Sequence, residues 1–385
     1  MKAIVGGTVY TPSEVFDPGT VLIEGETIEF VGGADVVRIP PSAERIDATG
    51  LRVVPGYLDV HIHGLLGHDA MGPGLADMIR DLPRYGVTSF MATTLTLPRQ
   101  EILDSLQAMA AVLEEPPTGA RCLGIHLEGP HLSPARTGMA TAEWFSPLTW
   151  EDYESLQQAA RGRIRMITFA PEIGDSLNLI PRLIQAGVIP VIGHSDATFE
   201  VVARAVELGL AHATHTYNAM RGLHHREPGV LGAVMYFDQI MAELIADGIH
   251  VHPAAIAILL RVKGLERVVL ISDAAPMAGL PDGQYEWEHK PVYVKDGACR
   301  LADGTIAGAH ALLDQGIRVL CRGVGLPLEK ALVPATQSAA ASVGATHPGR
   351  LAPGAAADLV LLDADLRPAR TFVAGHEVWR AENTT

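Results

Sequence analysis

The sequence predicts an α/β protein: a (β/α)8 barrel of the TIM type, with a small β-sandwich assembled from both chain ends. Three observations lead there. Eight short, apolar, β-rich runs alternate with helical stretches through the middle of the chain. Both ends instead carry short alternating strands broken by glycine. Polar, chemistry-bearing residues recur at the C-terminal ends of the middle runs, where such a barrel carries its chemistry.

The 385 residues suit one large domain and one smaller one. The expected division is 1–54 plus 351–385 for the small β-domain and 55–350 for the barrel. At the start, "KAIVGGTVYT", "GTVLIEGETIEFVG" and "ERIDATGLRVVPG" alternate apolar and polar residues; "GAAADLVLLDADLRPARTFVAGHEVWR" does the same at the end. The eight middle runs are "GYLDVHIHG", "VTSFMATTLT", "ARCLGIHLEGP", "RIRMITFAPE", "VIPVIGHSDA", "LAHATHTYNAM", "IMAELIADGIHV" and "ERVVLISDAAP". Amphipathic helices are expected between them, as at 99–114, 176–186, 200–208 and 253–262. A doubly wound open sheet is the main rival. It is weakened because no glycine-rich phosphate fingerprint follows the first strand.

Composition excludes some functions. The formal charge is −15, which repels nucleic acid and anionic membrane, so neither is expected as a partner. Cys122, Cys299 and Cys321 are scattered and form no CxxC pair, which suits reduced thiols in the cytoplasm. The start of the chain lacks a signal-peptide apolar core, and no apolar run approaches the ~18 residues that span a bilayer.

The stretch "LDVHIHG" (58–64) puts two imidazoles two residues apart in a strand. Strand side chains alternate, so His61 and His63 share a face. The third run ends with His126 and Glu128, the fifth with His194 and the sixth with His215. The seventh ends with Asp247 and His250, the eighth with Asp273. A lone buried histidine is usually a hydrogen-bonded core residue. Burying so many polar groups together without a purpose would cost several kcal/mol in desolvation. A bound dication reverses that cost. Imidazole and carboxylate suit zinc, iron, manganese or cobalt, and the lack of thiolates argues against a structural zinc cage.

His61 and His63 would then pinch one metal, and His194 and His215 a second, with Glu128 bridging. Open coordination positions lower the pKa of bound water to about 7, making hydroxide available for attack. Asp273 would take the proton and return it to a leaving group. Arg226, with Arg221 nearby, is a positive charge beside a metal-ligand run, suited to forked recognition of phosphate. The remaining histidines, His212 and His347 among them, carry no placement argument.

At these residues the chain resembles the amidohydrolase superfamily. Longer stretches resemble its N-acetylglucosamine-6-phosphate deacetylase family: "HLEGP" (126–130), "GHSDAT" (193–198), "HTYNAM" (215–220), "REPG" (226–229), "ADGIHV" (246–251), "SDAAPMAGLPDG" (272–283) and "DGTIAG" (303–308). The resemblance implies a metal-dependent amide hydrolase that removes acetate from N-acetylglucosamine 6-phosphate, leaving glucosamine 6-phosphate. Glu128, His194 and His215 would bind the main metal; His61, His63 and Asp273 would complete a second site. Since some members work with one metal, one or two divalent ions are expected, zinc foremost. Asp273 would be the acid/base, and His250 would polarise the N-acetyl carbonyl, with Asp247 beside it at the substrate. Asn218, the backbone of Ala219 and Arg226 would receive the phosphate. Arg226 would come from the neighbouring subunit, implying a homodimer. Ile306, Ala307 and Gly308 would line the sugar pocket, with Met139 a further contact.

Two departures bear on the sugar. In "ARTGMA" (135–140), Ala140 stands where the family carries a histidine, and "AGAHALLDQG" (307–316) replaces a run richer in Gly, Ser and Thr. His131 or His310 could take the missing histidine's place. These changes leave room for an N-acetylgalactosamine 6-phosphate deacetylase or a cyclic-amide hydrolase. A non-catalytic barrel scaffold is the third reading, disfavoured because a scaffold needs no open metal site.

Overall fold

The computed structural model describes residues 1–346 and 348–382; His347 and residues 383–385 lie outside the described residues. All eight middle runs are strands: Tyr57–Ile62, Val87–Thr93, Arg121–Glu128, Ile164–Phe169, Ile189–Ile192, His212–Ala213, Met241–Ile245 and Val268–Ile271. They pair in chain order as one parallel sheet. The first strand, YLDVHI, is buried at every position, as parallel strands covered on both faces must be. The expected helices form at Arg99–Val112, Phe199–Glu207 and Pro253–Lys263; the stretch from 176 opens as a 3-10 turn and continues as Ile180–Gln185.

The eighth strand meets the first across a polar seam. The Asp273 amide donates to the His61 carbonyl at 2.9 Å, and the Ser272 amide to Asp59 Oδ1 at 3.2 Å. The seam brings the sheet nearly to closure. Period 2 puts Val269 and Ile271 on one face of the eighth strand, with Asp273 just past its end, and Met241, Glu243 and Ile245 on one face of the seventh. Met91, Met166, Val191, Met241 and Val269 belong to one buried apolar cluster. A larger cluster packs helix residues such as Met78, Leu106, Leu156, Ile256 and Leu320 with strand residues such as Phe90, Leu127, Phe169 and Leu270.

Strands from both termini form one mixed sheet, continuous by hydrogen bonding. Leu359–Leu362 runs antiparallel to Arg52–Pro55 and so joins the C-terminal strands to the N-terminal ones. Ile4, Val21, Ile23, Ile46, Leu361 and Phe372 give this sheet its own apolar cluster.

One element was not predicted. After the eighth strand comes an antiparallel meander: Gly283–Trp287, Lys290–Lys295, Ala298–Arg300 and Ile306–Ala309. Its buried residues, Trp287, Val292, Val294, Cys299 and Ala307, pack with Leu95 and Met139 from loops at the barrel mouth. The exposed and buried residues of KPVYVK alternate, as expected of a sheet with one face in water. All three cysteines are free thiols. Among the described residues, no helix is long and apolar enough to cross a membrane.

The seam depends on Asp59. Its Oδ1 accepts from the Ser272 amide and, at 3.3 Å, from the His61 amide, and burial pushes the carboxyl up to about 7. Asp59→Ala leaves two buried amides without an acceptor, so a loss of about 2–4 kcal/mol is expected in urea unfolding. A loss below about 0.5 kcal/mol would show that the seam does not need it.

Candidate active site

At the carboxyl ends of the strands lies a cavity of about 270 Å3. His63, Glu128, His194, His215, His250 and Asp273 all face it. His61 is fully buried beneath them.

Glu128 organises the centre. Its Oε1 lies 3.1 Å from His215 Nε2 and 3.4 Å from His194 Nε2. Its Oε2 lies 3.4 Å from His63 Nε2 and 3.5 Å from His61 Nε2. One carboxylate therefore faces two histidine pairs. Within the pairs, the Nε2 atoms are 3.1 Å apart for His194 and His215 and 3.2 Å for His61 and His63. Asp273 Oδ1 completes the second group at 3.0 Å from His63 Nε2 and 3.5 Å from His61 Nε2. His194, His215 and Asp273 all adopt left-handed backbone, with φ of 45°, 24° and 52°. Such conformations are costly for non-glycine residues and concentrate at functional sites.

These residues fit a divalent cation. Donor atoms about 2.0–2.1 Å from a tetrahedral zinc lie about 3.3–3.4 Å from one another, close to the spacings found here. Two neutral imidazole nitrogens cannot face each other with both lone pairs inward unless a proton or cation lies between them. The His194 Nδ1–H donates to the Arg136 carbonyl at 2.8 Å, which turns the Nε2 lone pair toward Glu128. Burial opposes charge on His61, yet Glu128 and Asp273 hold it well above the ordinary imidazole value. The carboxylates thus demand positive charge at this spot. Among the described residues, three groups have metal-ligand spacing: Glu128 with His194 and His215, His61 with His63 and Asp273, and His61 with His126 and Glu243. The last is not a donor set. His126 Nδ1 meets the Val60 carbonyl at 3.1 Å and Nε2 meets Thr168 Oγ1 at 2.7 Å, so neither nitrogen is free. Burial drives His126 down to about 3, and it is a neutral core histidine.

Asp247 and His250 follow the seventh strand. Asp247 Oδ1 accepts from the amides of Ile249 and His250, both at 2.8 Å, and Oδ2 accepts from His250 Nδ1 at 2.7 Å. Asp247 thus aims the His250 ring into the cavity and does not itself line it. Burial disfavours the imidazolium, but the Asp247 bond and charge outweigh it and raise the His250 pKa.

The other expected residues divide. Met139, Asn218, Ala219, Ile306 and Gly308 line the cavity, as does Ala140. Ala307 is buried in the core of the meander and lines no part of the cavity. Arg226 is exposed, beside His225 Nε2 at 2.6 Å, and stays outside the cavity of its own chain. Arg221 is tied to Asp196 at 2.7 Å. Neither substitute for the absent histidine reaches the site. His131 Nδ1 is held by the Ser146 carbonyl at 3.1 Å, and His310 Nε2 by the Leu280 carbonyl at 2.8 Å. Sequence reading missed Leu95, Leu132, Trp287 and Thr305 as lining residues. Trp287 comes from the unpredicted meander, its Nε1–H bound to Asp69 Oδ2 at 2.9 Å, and nothing local marks it. Glu243 was also missed, although a carboxylate in the middle of an apolar strand was a visible signal.

Asp247→Asn should lower the His250 pKa toward the ordinary value of about 6.5. In the parent protein the raised value means the pair stabilises fully below about pH 6.5 and loses that contribution as pH rises through the folded value. Histidine NMR titration reads the shift directly. An unmoved His250 titration in the variant would detach Asp247 from this role.

Comparison with known proteins supplies the family. The amidohydrolase family profile matches residues 52–378. The chain is 36% identical to the N-acetylglucosamine-6-phosphate deacetylase of Bacillus subtilis (strain 168), over 96% of this chain and 94% of that one. It is also 36% identical to the N-acetylgalactosamine-6-phosphate deacetylase of Escherichia coli O157:H7, over 89% and 91%. Among solved structures, a mutant N-acetyl-D-glucosamine-6-phosphate deacetylase from Mycobacterium smegmatis, in complex with N-acetyl-D-glucosamine-6-phosphate, superposes with a TM-score of 0.90. It is 32% identical over 98% of this chain and 99% of that one. With likeness of that extent and two histidine pairs closed on one glutamate, the chain belongs to the amidohydrolase family, among its N-acetylglucosamine-6-phosphate deacetylases.

Proposed function

We propose that this chain hydrolyses the acetamide of N-acetylglucosamine 6-phosphate, giving acetate and glucosamine 6-phosphate. The observation that carries the reading is Glu128, whose two oxygens face separate histidine pairs in a chain similar to deacetylases over nearly its whole length. Glu128, His194 and His215 would hold one divalent cation, zinc foremost, and His61, His63 and Asp273 a second. A cation bound there supplies Lewis acidity and lowers the pKa of coordinated water to about 7.

Burial pushes Asp273 up, but His61 and His63 outweigh it and hold the carboxyl below its ordinary value. It is therefore ionised at neutral pH and ready to accept a proton from the attacking water, then pass it to the departing amine. His250, oriented by Asp247, donates to the acetyl oxygen as negative charge develops there. Asn218 and the Ala219 backbone seat the phosphate from the cavity wall. Met139, Ile306 and Gly308 enclose the sugar. Arg226 lies outside its own cavity, which supports a homodimer in which it serves the neighbouring site. In an acidic chain a phosphate needs such local cations.

A second reading is the galactosamine isomer, favoured by the equal identity to the Escherichia coli relative and by alanine at position 140. Acetate release from both hexosamine phosphates and from unphosphorylated N-acetylglucosamine decides. Faster release from the glucosamine phosphate supports the first reading, and faster release from its isomer the second. No release from either would discard both. Asp273→Asn should retain fold and lose about 10^2–10^4-fold in kcat, the usual range for a general acid–base. Arg226→Ala should raise KM for the phosphorylated sugar by about tenfold or more and leave the unphosphorylated one unaffected. Equal KM values in parent and variant would remove Arg226 from phosphate binding.

A further inference from the structure

We propose that Glu243 is the positioning residue of the metal centre: it fixes the tautomer of His61 and so turns the donor nitrogen toward His63, Glu128 and Asp273. The inference rests on the hydrolase reading above. Glu243 lies in the strand Met241–Ile245, is fully buried, and does not line the cavity. It cannot reach substrate and can act only through its neighbours.

Three donors converge on its Oε2: His61 Nδ1 at 3.1 Å, Thr214 Oγ1 at 2.7 Å and the His215 amide at 3.3 Å. Its backbone carbonyl also accepts from the Thr216 amide at 2.8 Å. Glu243 therefore braces the segment that carries His215 as well as the ring of His61. His212 Nε2 lies 3.0 Å from the other oxygen, Oε1, but off the direction of a hydrogen bond.

The tautomer follows from donor and acceptor capacity. An ionised carboxylate only accepts, so the nitrogen facing it must carry the proton. That nitrogen is Nδ1, and the lone pair of neutral His61 then sits on Nε2. Nε2 faces His63 Nε2 at 3.2 Å, Glu128 Oε2 at 3.5 Å and Asp273 Oδ1 at 3.5 Å. The four imidazoles of the centre differ in this respect. Among the described residues, His194 is anchored by a backbone carbonyl, the Nδ1 atoms of His63 and His215 meet no partner, and His61 alone is backed by a carboxylate. A carboxylate behind an imidazole raises its basicity as a ligand, and losing such a partner usually weakens metal binding about 10–100-fold.

The competing account gives Glu243 a purely structural role in the core, beside Thr214 and His212. The two accounts diverge in metal binding. Metal-stripped parent protein and Glu243→Gln would be titrated with Zn2+ against a chromophoric chelator, alongside thermal unfolding of the metal-free proteins. The expected result is zinc affinity about 10–100-fold weaker, with the larger loss at the site that His61 shares with His63 and Asp273. A structural role alone would shift the unfolding midpoint and leave zinc affinity intact. Parent-like zinc affinity and stoichiometry in Glu243→Gln would overturn the proposal. If that variant does not fold, Glu243→Asp decides, since it keeps a carboxylate in the core but shortens it away from His61 Nδ1. Weaker zinc binding supports the proposal, and unchanged binding overturns it. Failure of the parent protein to bind zinc at all would instead count against the hydrolase reading.

Discussion

Glu128 sets the terms for everything around it. A carboxylate buried at the mouth of a barrel is stable only if nearby charge and hydrogen bonds compensate its desolvation. Here two histidine pairs approach from opposite sides, one on each oxygen. Histidine alone answers that demand incompletely, because burial works against the imidazolium. The conflict is visible in His61, where burial opposes the positive charge that the neighbouring carboxylates favour. A cation among these donors resolves it, and the left-handed backbone at His194, His215 and Asp273 shows how far the chain bends to assemble them.

The barrel beneath is built to keep that arrangement in register. Asp59 spans the seam between first and last strands, so the two strands that carry His61 and Asp273 are joined directly below those residues. His126 occupies both of its nitrogens in the wall and stays neutral, adding no charge to the crowded centre. Glu243 ties the seventh strand to His61 and to the His215 backbone. Polar groups that lack partners in a barrel core would be expensive, and these are used in pairs that orient their neighbours.

Above the centre, the meander after the eighth strand supplies Trp287, Thr305, Ile306 and Gly308 to the cavity wall. It packs on Leu95 and Met139, so the cover is anchored to the loops it covers. Ala140 leaves one part of that wall without an imidazole, and His131 and His310 are both held elsewhere by backbone carbonyls. Under the proposed function, selection among sugars falls to the remaining lining, which the meander and the loop around Met139 share with Leu95, Leu132, Asn218 and His250.

Much of this could be read from the sequence, for reasons of local physics. Parallel strands buried on both faces leave near-continuous apolar runs, so all eight barrel strands were legible. Alternation placed His61 and His63 on one side of a strand. Recurrence of His, Glu and Asp at successive strand ends marked the mouth, because apolar surroundings make buried polar groups conspicuous. The meander was not legible as a cover, since alternation identifies a strand and says nothing about what its buried face rests on. Neither the bridging geometry of Glu128 nor the ligand-orienting contacts of Glu243 could be read from spacing, because their partners lie on other strands. Arg226 looked like a phosphate ligand from its position in the chain, yet the fold keeps it out of its own cavity. Sequence alone marked His61, His63, Glu128, His194, His215, His250 and Asp273 at the strand ends. Which nitrogen of which histidine faces which oxygen was decided only when the closing barrel brought distant strands within hydrogen-bond distance.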